Sequence, residues 1–270
     1  ERTMRQMDIF CLYPGAKRKA FTLSYDDGVC QDRRLVALFN QYKVKATFNL
    51  NSGRQSYANG WTHACGLEIR HLPAEEIVAL YAGHEVAVHT VNHPHLESLS
   101  PAEIIAEVRN DKRALEDRFG AVVEGMAYPF GTYDHRIPAI LEKEGILYAR
   151  TTKQTLDFSI PDEFYAWDSS CHHNYPGLLP LAQEFLSTDQ ELALFYVWGH
   201  SYEFDVDNNW DNMEDLLTLV SGKEDTWYAT NLQICRYLTA MRELKVQGGK
   251  LVNPTNTPLW VEVDGEVQVI

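Results

Sequence analysis

The sequence lacks a paired-cysteine pattern, a long apolar run and an excess of basic residues. Its five cysteines lie far apart and form no C-x-x-C pair, which predicts isolated thiols rather than a disulfide framework or a zinc knuckle. No apolar run approaches the ~20 residues that span a bilayer, so we expect no membrane insertion. Lys and Arg number 24 against 38 Asp and Glu, and this formal charge of −14 argues against binding nucleic acid or anionic lipid through bulk electrostatics.

The first five residues also lack the apolar core of a signal peptide. Because such a segment can be removed before numbering begins, a cytoplasmic protein and a processed secreted protein are both left open, as is the oligomeric state. A composition with 45% hydrophobic and 23% charged residues is that of an ordinary globular protein, and 270 residues fit one α/β barrel.

Short runs rich in β-branched and aromatic residues alternate along the chain with stretches of helical period. They predict strands at 20–25, 44–49, 85–89, 123–128, 146–150 and 194–198. Helices are predicted at 32–42, 73–82, 134–144, 212–220 and 231–244. The clearest helix lies between a Ser100 cap and a Gly120 stop.

This alternation predicts parallel strands joined by right-handed crossovers, either closed as a barrel or open and doubly wound. No glycine-rich phosphate-binding pattern follows a predicted strand, which favours the barrel. The tail differs, because residues 259–263 and 266–270 flank Asp264-Gly265, a strong signal for a two-residue β-hairpin. We therefore expect an α/β barrel over residues 1–249 with a C-terminal β-hairpin extension at 250–270.

Polar side chains follow the predicted strands at their carboxyl ends, where parallel α/β folds place their functional sites. The first strand ends in Ser24-Tyr25-Asp26-Asp27-Gly28, which by itself is as typical of a solvated turn as of a site. The third strand leads to His89 and His93, and imidazoles four residues apart can meet on one face of a helical turn. Two histidines and one aspartate would bind a divalent ion and leave coordination positions open for water and substrate.

Two further turns lie at the same predicted rim. The fourth strand ends in Tyr128-Pro129-Phe130-Gly131, and the sixth leads to His200. Each is by itself compatible with a purely structural role. A histidine at this place would face the proposed metal across the barrel.

The order of these segments resembles that of the polysaccharide deacetylases, the NodB-homology family of carbohydrate esterases (family 4), over about residues 20–205. The first family motif, usually Thr-Phe-Asp-Asp-Gly, is similar to residues 24–28. The His-x-x-x-His motif matches His89 and His93, and the aromatic Pro-(Tyr/Phe)-Gly turn matches residues 129–131. The resemblance implies a distorted (β/α) barrel.

The resemblance also implies a role for each matched residue. A divalent metal, zinc in the first place with cobalt or nickel as alternatives, would be bound by Asp27, His89 and His93. Asp26 would be the general base, His200 the general acid, and the backbone N–H of Phe130 an oxyanion donor. This division of labour suits the hydrolysis of an amide or ester, since water must be deprotonated, an oxyanion stabilised and the leaving group protonated.

Two departures from the family pattern bear on the substrate. Ala127 stands where members often carry an arginine that orients the catalytic aspartate, and Arg150 at the end of the next strand is the nearest replacement by topology. We expect its guanidinium to reach Asp26. The fourth family motif is only loosely echoed by Trp167-Asp168. The predicted substrate-binding set is Tyr128, Pro129, Phe130, Arg150, Trp167 and His173.

The resulting hypothesis is a metal-dependent hydrolase that removes acetyl groups, N-acetyl before O-acetyl, from an amino sugar or polysaccharide. The predicted partner is thus an acetylated carbohydrate. Two alternatives stay open: an amidohydrolase for a small cyclic amide, and a carbohydrate-binding relative without catalysis, suggested by Ala127.

Overall fold

The structure, a computed structural model, describes residues 7–270. Its strands are β1 Ile9–Leu12, β2 Lys19–Asp26, β3 Ala46–Leu50, β4 Gly60–Thr62, β5 Glu68–Arg70, β6 Glu85–Val88, β7 Gly125–Ala127, β8 Tyr148–Gln154, β9 Trp167–Ser169, β10 Cys171–His172, β11 Ala193–Gly199, β12 Thr226–Tyr228, β13 Lys245–Gln247, β14 Lys250–Val252, β15 Trp260–Val263 and β16 Glu266–Val269. Its α-helices are α1 Asp32–Tyr42, α2 Ile77–Leu80, α3 Pro101–Phe119, α4 Ile137–Lys143, α5 Leu178–Ser187, α6 Tyr202–Val206, α7 Trp210–Val220 and α8 Asn231–Met241.

The central sheet has the order β10-β11-β2-β3-β6-β7-β8-β9, and β12 adds to β2. Its neighbouring strands pair in parallel, which confirms the predicted α/β class. The carboxyl ends of these strands therefore meet at one edge, where the candidate residues lie. No helix in the described residues is long and apolar enough to cross a membrane.

The sheet curls on itself but is not a continuously paired barrel. Its two outer strands are β9 and β10, and only Ser170 separates them along the chain. Within residues 7–270 no hydrogen-bonded ladder joins these two strands. The predicted barrel is thus a curved, open sheet whose edges are linked by the chain itself at Ser170.

Side-chain alternation along β2 separates two environments. Phe21, Leu23 and Tyr25 belong to the larger apolar core, which the sheet shares with most of the helices. Thr22 and Ser24 point the other way, where Asn231 Nδ2 donates to Thr22 Oγ1 at 2.8 Å and an arginine donates to Ser24 Oγ. Because strand side chains alternate, the same strand supplies both a dry core face and a polar interior.

The strongest sequence signals are confirmed. Helix α3 has the predicted capping box between Ser100 and Glu103 and ends at Gly120 in the left-handed conformation, and α1 covers the predicted range. The helix predicted at 73–82 is wrong in extent, because only Ile77–Leu80 is helical. The sequence also missed the helices α5 and α6 and the short strands β1, β4, β5, β9, β10, β12, β13 and β14.

The C-terminal hairpin is confirmed as an element. Strands β15 and β16 pair antiparallel around Asp264 and Gly265, which have φ of 49° and 86°, as a two-residue turn between twisted strands requires. Strand β15 also pairs with β1 near the other end of the chain. Leu259 is buried in a second apolar cluster, which includes Tyr13, Trp167 and Tyr237. The boundary at residue 250 stays a prediction.

Candidate metal and catalytic site

The first pair of acidic residues lies where β2 ends. Asp26 is the last residue of the strand, and the Asp27 N–H donates to the carbonyl of Asn49 at 3.0 Å. Asp27 has a φ of 84°, an unfavourable conformation for a residue with a Cβ. Gly28 follows with a φ of 63°, and a Cβ there would lie 2.7 Å from Gln55 Nε2. The turn therefore requires glycine and directs the two carboxylates into the interior and the cleft.

His89 and His93 come from an irregular loop, which corrects the prediction of a helical turn. Thr90 and His93 have φ of 71° and 57°, so the segment cannot continue as a right-handed helix. The loop is held because Asn51 Nδ2 donates to the carbonyls of His89 at 2.6 Å and Thr90 at 3.0 Å. An irregular loop with two left-handed residues, rather than helical spacing, brings the imidazole rings to a centroid distance of 4.7 Å.

The buried carboxylate of Asp111, on α3, also holds this loop in place. Its carboxylate accepts the N–H of His89 at 3.0 Å and the N–H of Ser52 at 2.7 Å. Burial raises the pKa of Asp111 to about 7, although these two amides oppose the rise. Asp111 therefore ties the loop after β6 to the loop after β3.

The three predicted metal ligands converge. His89 Nε2 and His93 Nε2 lie 3.3 and 3.4 Å from Asp27 Oδ1. Ligand atoms held at 2.0–2.2 Å around one tetrahedral zinc ion lie about 3.4 Å apart, so the observed spacing suits a shared ion.

The position of the proton on His89 also suits a metal ligand. His89 Nδ1–H donates to the carbonyl of Ala127 at 2.7 Å, which leaves a lone pair on Nε2. Both His89 Nε2 and Asp27 Oδ1 are buried without a hydrogen-bond partner in the described part of the chain. Unpartnered buried polar atoms are costly, and a divalent cation between them would satisfy both. The residues present therefore fit the metal that the resemblance implies.

Asp26 is held by Arg150, as the topology predicted. The guanidinium donates to both carboxylate oxygens, at 2.9 and 2.6 Å, and Asn49 Nδ2 donates to Oδ1 at 2.9 Å. Arg150 can do this because it is the cross-strand partner of Ala127. The guanidinium that binds Asp26 thus comes from the strand next to Ala127.

The charges around Asp26 decide its protonation. Burial alone would raise its pKa, but the charge and hydrogen bonds of Arg150, with the charge of His200, outweigh burial and hold the pKa below its ordinary value. Asp26 is therefore an anion whose Oδ2 lies 4.0 Å from His89 Nε2 and 3.9 Å from His200 Nε2.

His200 follows β11 and faces the same two aspartates. Its Nε2 lies 3.8 Å from Asp27 Oδ2, while its Nδ1 and backbone N donate to Glu203 Oε1 at 3.1 and 2.6 Å. Burial lowers the pKa of His200, but the hydrogen bond to Glu203 and the charges of Asp27, Glu203 and Asp26 raise it to about 9. The imidazole is therefore held protonated with Nε2 toward the carboxylates.

An open cleft of about 480 Å³ lies over these groups. Tyr128 and Phe130 line the cleft, as predicted. Phe130 is 50% exposed, and its backbone is in the left-handed region with a φ of 61°. The Phe130 N–H has no hydrogen-bond partner within residues 7–270. Trp61 of the β4–β5 hairpin lines the opposite part of the cleft and packs edge-on against Tyr202 at 5.3 Å.

Four residues of the predicted substrate-binding set do not line the cleft. Trp167 is 1% exposed and packs edge-on against Tyr148 and Tyr196 in the second apolar cluster. His173 stacks between two aromatic rings, and Pro129 and Arg150 are buried. The structure buries both residues: Trp167 lies in the short strand β9, and His173 lies in the turn that follows β10.

Sequence reasoning missed Glu203, Asn49, Asn51 and Asp111 as supporting residues. Glu203 carried a usable signal, since a carboxylate three residues after His200 at the start of a helix can reach its Nδ1 and backbone N. The others hold the site through contacts between distant segments, and no local pattern marks them. Their positions follow only from the sheet order.

The sequence and fold are similar to those of known proteins. A family model for polysaccharide deacetylase matches residues 14–149, half of the chain. Chitin deacetylase 3 of Cryptococcus neoformans is 25% identical over 249 residues, which cover 86% of this chain and 57% of that protein. Chitooligosaccharide deacetylase of a Bradyrhizobium species is 31% identical over 144 residues, covering 52% of this chain and 58% of that protein.

A solved structure shares the fold. The crystal structure of a protein described as a polysaccharide deacetylase from Mycobacterium smegmatis superposes with a TM-score of 0.63 and 16% identity, covering 86% of this chain and 94% of that one. The chain spans little more than half the length of the curated relatives given above. The family model covers half of the chain, including the carboxylate pair, both candidate ligand histidines and the Phe130 turn, so the chain belongs to the polysaccharide deacetylase family.

Proposed function

We propose that this chain is a metal-dependent hydrolase that removes acetyl groups, N-acetyl foremost, from an amino sugar or a polysaccharide. The observation that carries the proposal is that three groups of side chains meet at the cleft, each held by different contacts. These are the converging Asp27-His89-His93 set, Asp26 against Arg150, and His200 against Glu203. The first suits a metal, the second a base and the third an acid.

The relatives favour a sugar over a small cyclic amide. Those described above are named for chitin and chitooligosaccharide deacetylation. The cleft is open and has the exposed aromatic residues Trp61 and Phe130, which suit the faces of sugar rings. Retention of both Asp26 and His200 argues against a binding protein without catalysis, which would need neither.

The chemistry begins with water and the acetyl carbonyl. A divalent ion, zinc first with cobalt or nickel as alternatives, would lower the pKa of a water molecule and polarise the carbonyl. Asp26 accepts the proton of the attacking water on Oδ2, which faces the ligand set. Arg150 holds the carboxylate in place through both oxygens and keeps it ionised until that step.

The later steps need a hydrogen-bond donor and a proton. Negative charge develops on the carbonyl oxygen, and the Phe130 N–H is the backbone donor available at the cleft. An amine leaves only when protonated, and His200 supplies that proton from Nε2. Glu203 orients the imidazole because it accepts the Nδ1–H at 3.1 Å.

The direct test is acetate release. The chain is assayed on chitooligosaccharides and on acetylated xylan, before and after metal removal by a chelator, and again after addition of zinc, cobalt or nickel. We expect release from the N-acetylated substrate to disappear with the chelator and to return with at least one metal. Activity that survives complete metal removal would contradict the proposal.

Two neighbouring variants separate the two aspartate roles. Asp26→Asn should lower kcat by at least about 100-fold, as loss of a general base does, while zinc still binds. Asp27→Asn should lower zinc affinity itself. Circular dichroism checks the fold of both. Equal zinc affinities in the two variants would refute the assignment.

A further inference from the structure

A buried histidine lines the cleft but has no part in the chemistry proposed above. His71 is 2% exposed, and the centroid of its ring lies 5.6 Å from that of the Trp61 ring. Both residues line the cleft, together with Arg54. All three lie between β3 and α2, a segment that supplies none of the proposed catalytic groups.

The backbone around His71 pairs with the turn that carries the two aspartates. His71 and Val29 form an antiparallel β-bridge. Next to this bridge, the N–H of Leu72 donates to the carbonyl of Gly28 at 2.9 Å. The backbone of His71 is therefore fixed relative to the aspartate turn, as a group that binds substrate must be.

The proton of the His71 ring lies on Nδ1. That nitrogen is 3.3 Å from the carbonyl oxygen of Asn59, which can only accept a hydrogen bond. Burial holds the pKa of His71 below its ordinary value, although the Asn59 carbonyl and the charge of Asp27 oppose it, so the ring is neutral near pH 7. The other nitrogen, Nε2, therefore carries a lone pair.

This lone pair is open to the cleft. Within residues 7–270 the Nε2 of His71 makes no hydrogen bond, and it is nevertheless not enclosed by other atoms. The side chain is thus buried except at the cleft that it lines. Arg54 cannot supply an acceptor there, because a guanidinium only donates, and its Nε and Nη2 are bound to the carbonyl of Asn92.

Trp61 supplies the second part of a site for a sugar ring. Its side chain lies on the β4–β5 hairpin, is 37% exposed, and is tilted by 54° to the ring of His71. An indole offers an apolar face on which the C–H groups of a sugar ring can pack. A sugar packed in this way points its equatorial hydroxyls sideways from its edge. An acceptor beside the indole suits one of these hydroxyls.

We propose that His71 and Trp61 form a sugar subsite of the cleft, in which Trp61 packs on the ring and His71 Nε2 accepts a hydrogen bond from one equatorial hydroxyl. The subsite rests on the proposed function, because the bound ring belongs to the acetylated carbohydrate. His71 determines specificity, since an acceptor left without its donor disfavours a sugar that lacks the hydroxyl. It takes no part in the bond-making steps.

Two variants separate the two nitrogens of His71. An asparagine amide reaches the place of Nδ1, so His71→Asn keeps a donor for the Asn59 carbonyl and loses the acceptor in the cleft. A glutamine amide reaches the place of Nε2, so His71→Gln keeps an acceptor there. With zinc at saturation, KM for N-acetylated chitooligosaccharides should rise about five- to tenfold in His71→Asn, the size of one neutral hydrogen bond.

The same assay gives kcat and the rescue. The kcat of His71→Asn should stay nearly unchanged, because the lost contact is equal in the ground state and the transition state. His71→Gln should recover most of the loss in KM. An unchanged KM in His71→Asn, or a KM in His71→Gln that is no lower than in His71→Asn, would overturn the assignment.

Zinc affinity shows whether the substitution acts through the aspartate turn instead. Calorimetry should find zinc bound as tightly by His71→Asn as by the wild-type chain, with the same temperature of thermal unfolding. Weaker zinc binding would show that the variant disturbs Asp27, and it would overturn a direct contact with the sugar.

Substrates that lack single hydroxyls give the second readout. On the wild-type chain, one deoxy analogue of the chitooligosaccharide should lose about the factor in kcat/KM that His71→Asn loses, and it should lose nothing further on the variant. If every analogue loses the same factor on both chains, His71 binds no hydroxyl. If the wild-type chain releases no acetate from any sugar, the proposed function fails and the subsite fails with it.

Discussion

Replacing Arg150 by methionine should expose how much the buried ion pair contributes to stability. Arg150 is fully buried, donates to both oxygens of Asp26, and also donates to Ser24 Oγ at 2.7 Å. Methionine fills similar space but leaves the carboxylate buried with Asn49 as its remaining neutral donor. Removing one partner of a buried pair costs about 3–5 kcal/mol, so we expect a loss of that size in the free energy of unfolding at pH 7.

The loss should depend on pH in a defined direction. In the wild type the pKa of Asp26 is held below its ordinary value, so its contribution to stability is present above the unfolded pKa and disappears as the pH falls through the folded pKa. Without Arg150, burial raises the pKa of Asp26, and the variant takes up a proton at higher pH. The stability difference should therefore shrink as the pH falls through the raised pKa of the variant.

Urea unfolding at a series of pH values measures this, with chelator present so that metal occupancy is constant. The matched control is Arg33→Met, because Arg33 also binds a carboxylate through two hydrogen bonds, both 2.8 Å long, to Glu76, but its side chain is 47% exposed. The control should lose far less stability, with little pH dependence. Equal losses in the two variants, or a loss at Arg150 that does not change with pH, would refute the reasoning.

Three other perturbations test the site. Glu203→Gln should lower kcat more than it changes KM. It should also lower the pKa of His200 from about 9 toward its ordinary value, so that the alkaline limb of the pH profile moves to lower pH. An alkaline limb that does not move would contradict the role of Glu203. Trp61→Ala should raise KM for oligosaccharides and leave kcat nearly unchanged, and an unchanged KM would show that Trp61 does not contact the sugar. Zinc at 100 times its Kd should stabilise the chain by about 2.7 kcal/mol, and Asp27→Asn should abolish that gain in thermal unfolding.

The sequence predicts those parts of the fold whose signals are local. Helix α3 begins and ends at its caps, and the hairpin at Asp264 turns where a two-residue loop must. The strands β9 and β10 escape prediction because they have three and two residues, too few for a period to show. Trp167 lies in one of them, which is why it was taken for a cleft residue although tertiary packing buries it.

The site divides in the same way. Asp27, His89 and His93 could be predicted because motif spacing marks them, although the backbone that joins the two histidines is an irregular loop rather than a helix. The contact of Arg150 with Asp26 could be predicted, because Arg150 lies on the strand next to Ala127, the position at which the family pattern often has an arginine. Glu203 and Asp111 could not be assigned so easily, since their partners depend on how the loops fold over the strand ends.

The two adjacent aspartates differ in their counter-charge, and this difference supports the roles we propose for them. Asp26 has a positive partner within the chain, the guanidinium of Arg150, and needs no further cation. Asp27 has no guanidinium partner: the protonated ring of His200 lies 3.8 Å from Oδ2, and at Oδ1 His89 turns a lone pair rather than a proton toward the oxygen. An ion beside Asp27 would therefore give Oδ1 and His89 Nε2 the partner that they lack within residues 7–270, whereas an ion at Asp26 would have to displace Arg150. Two adjacent aspartates therefore suit different chemistry, because an arginine faces one and histidines face the other.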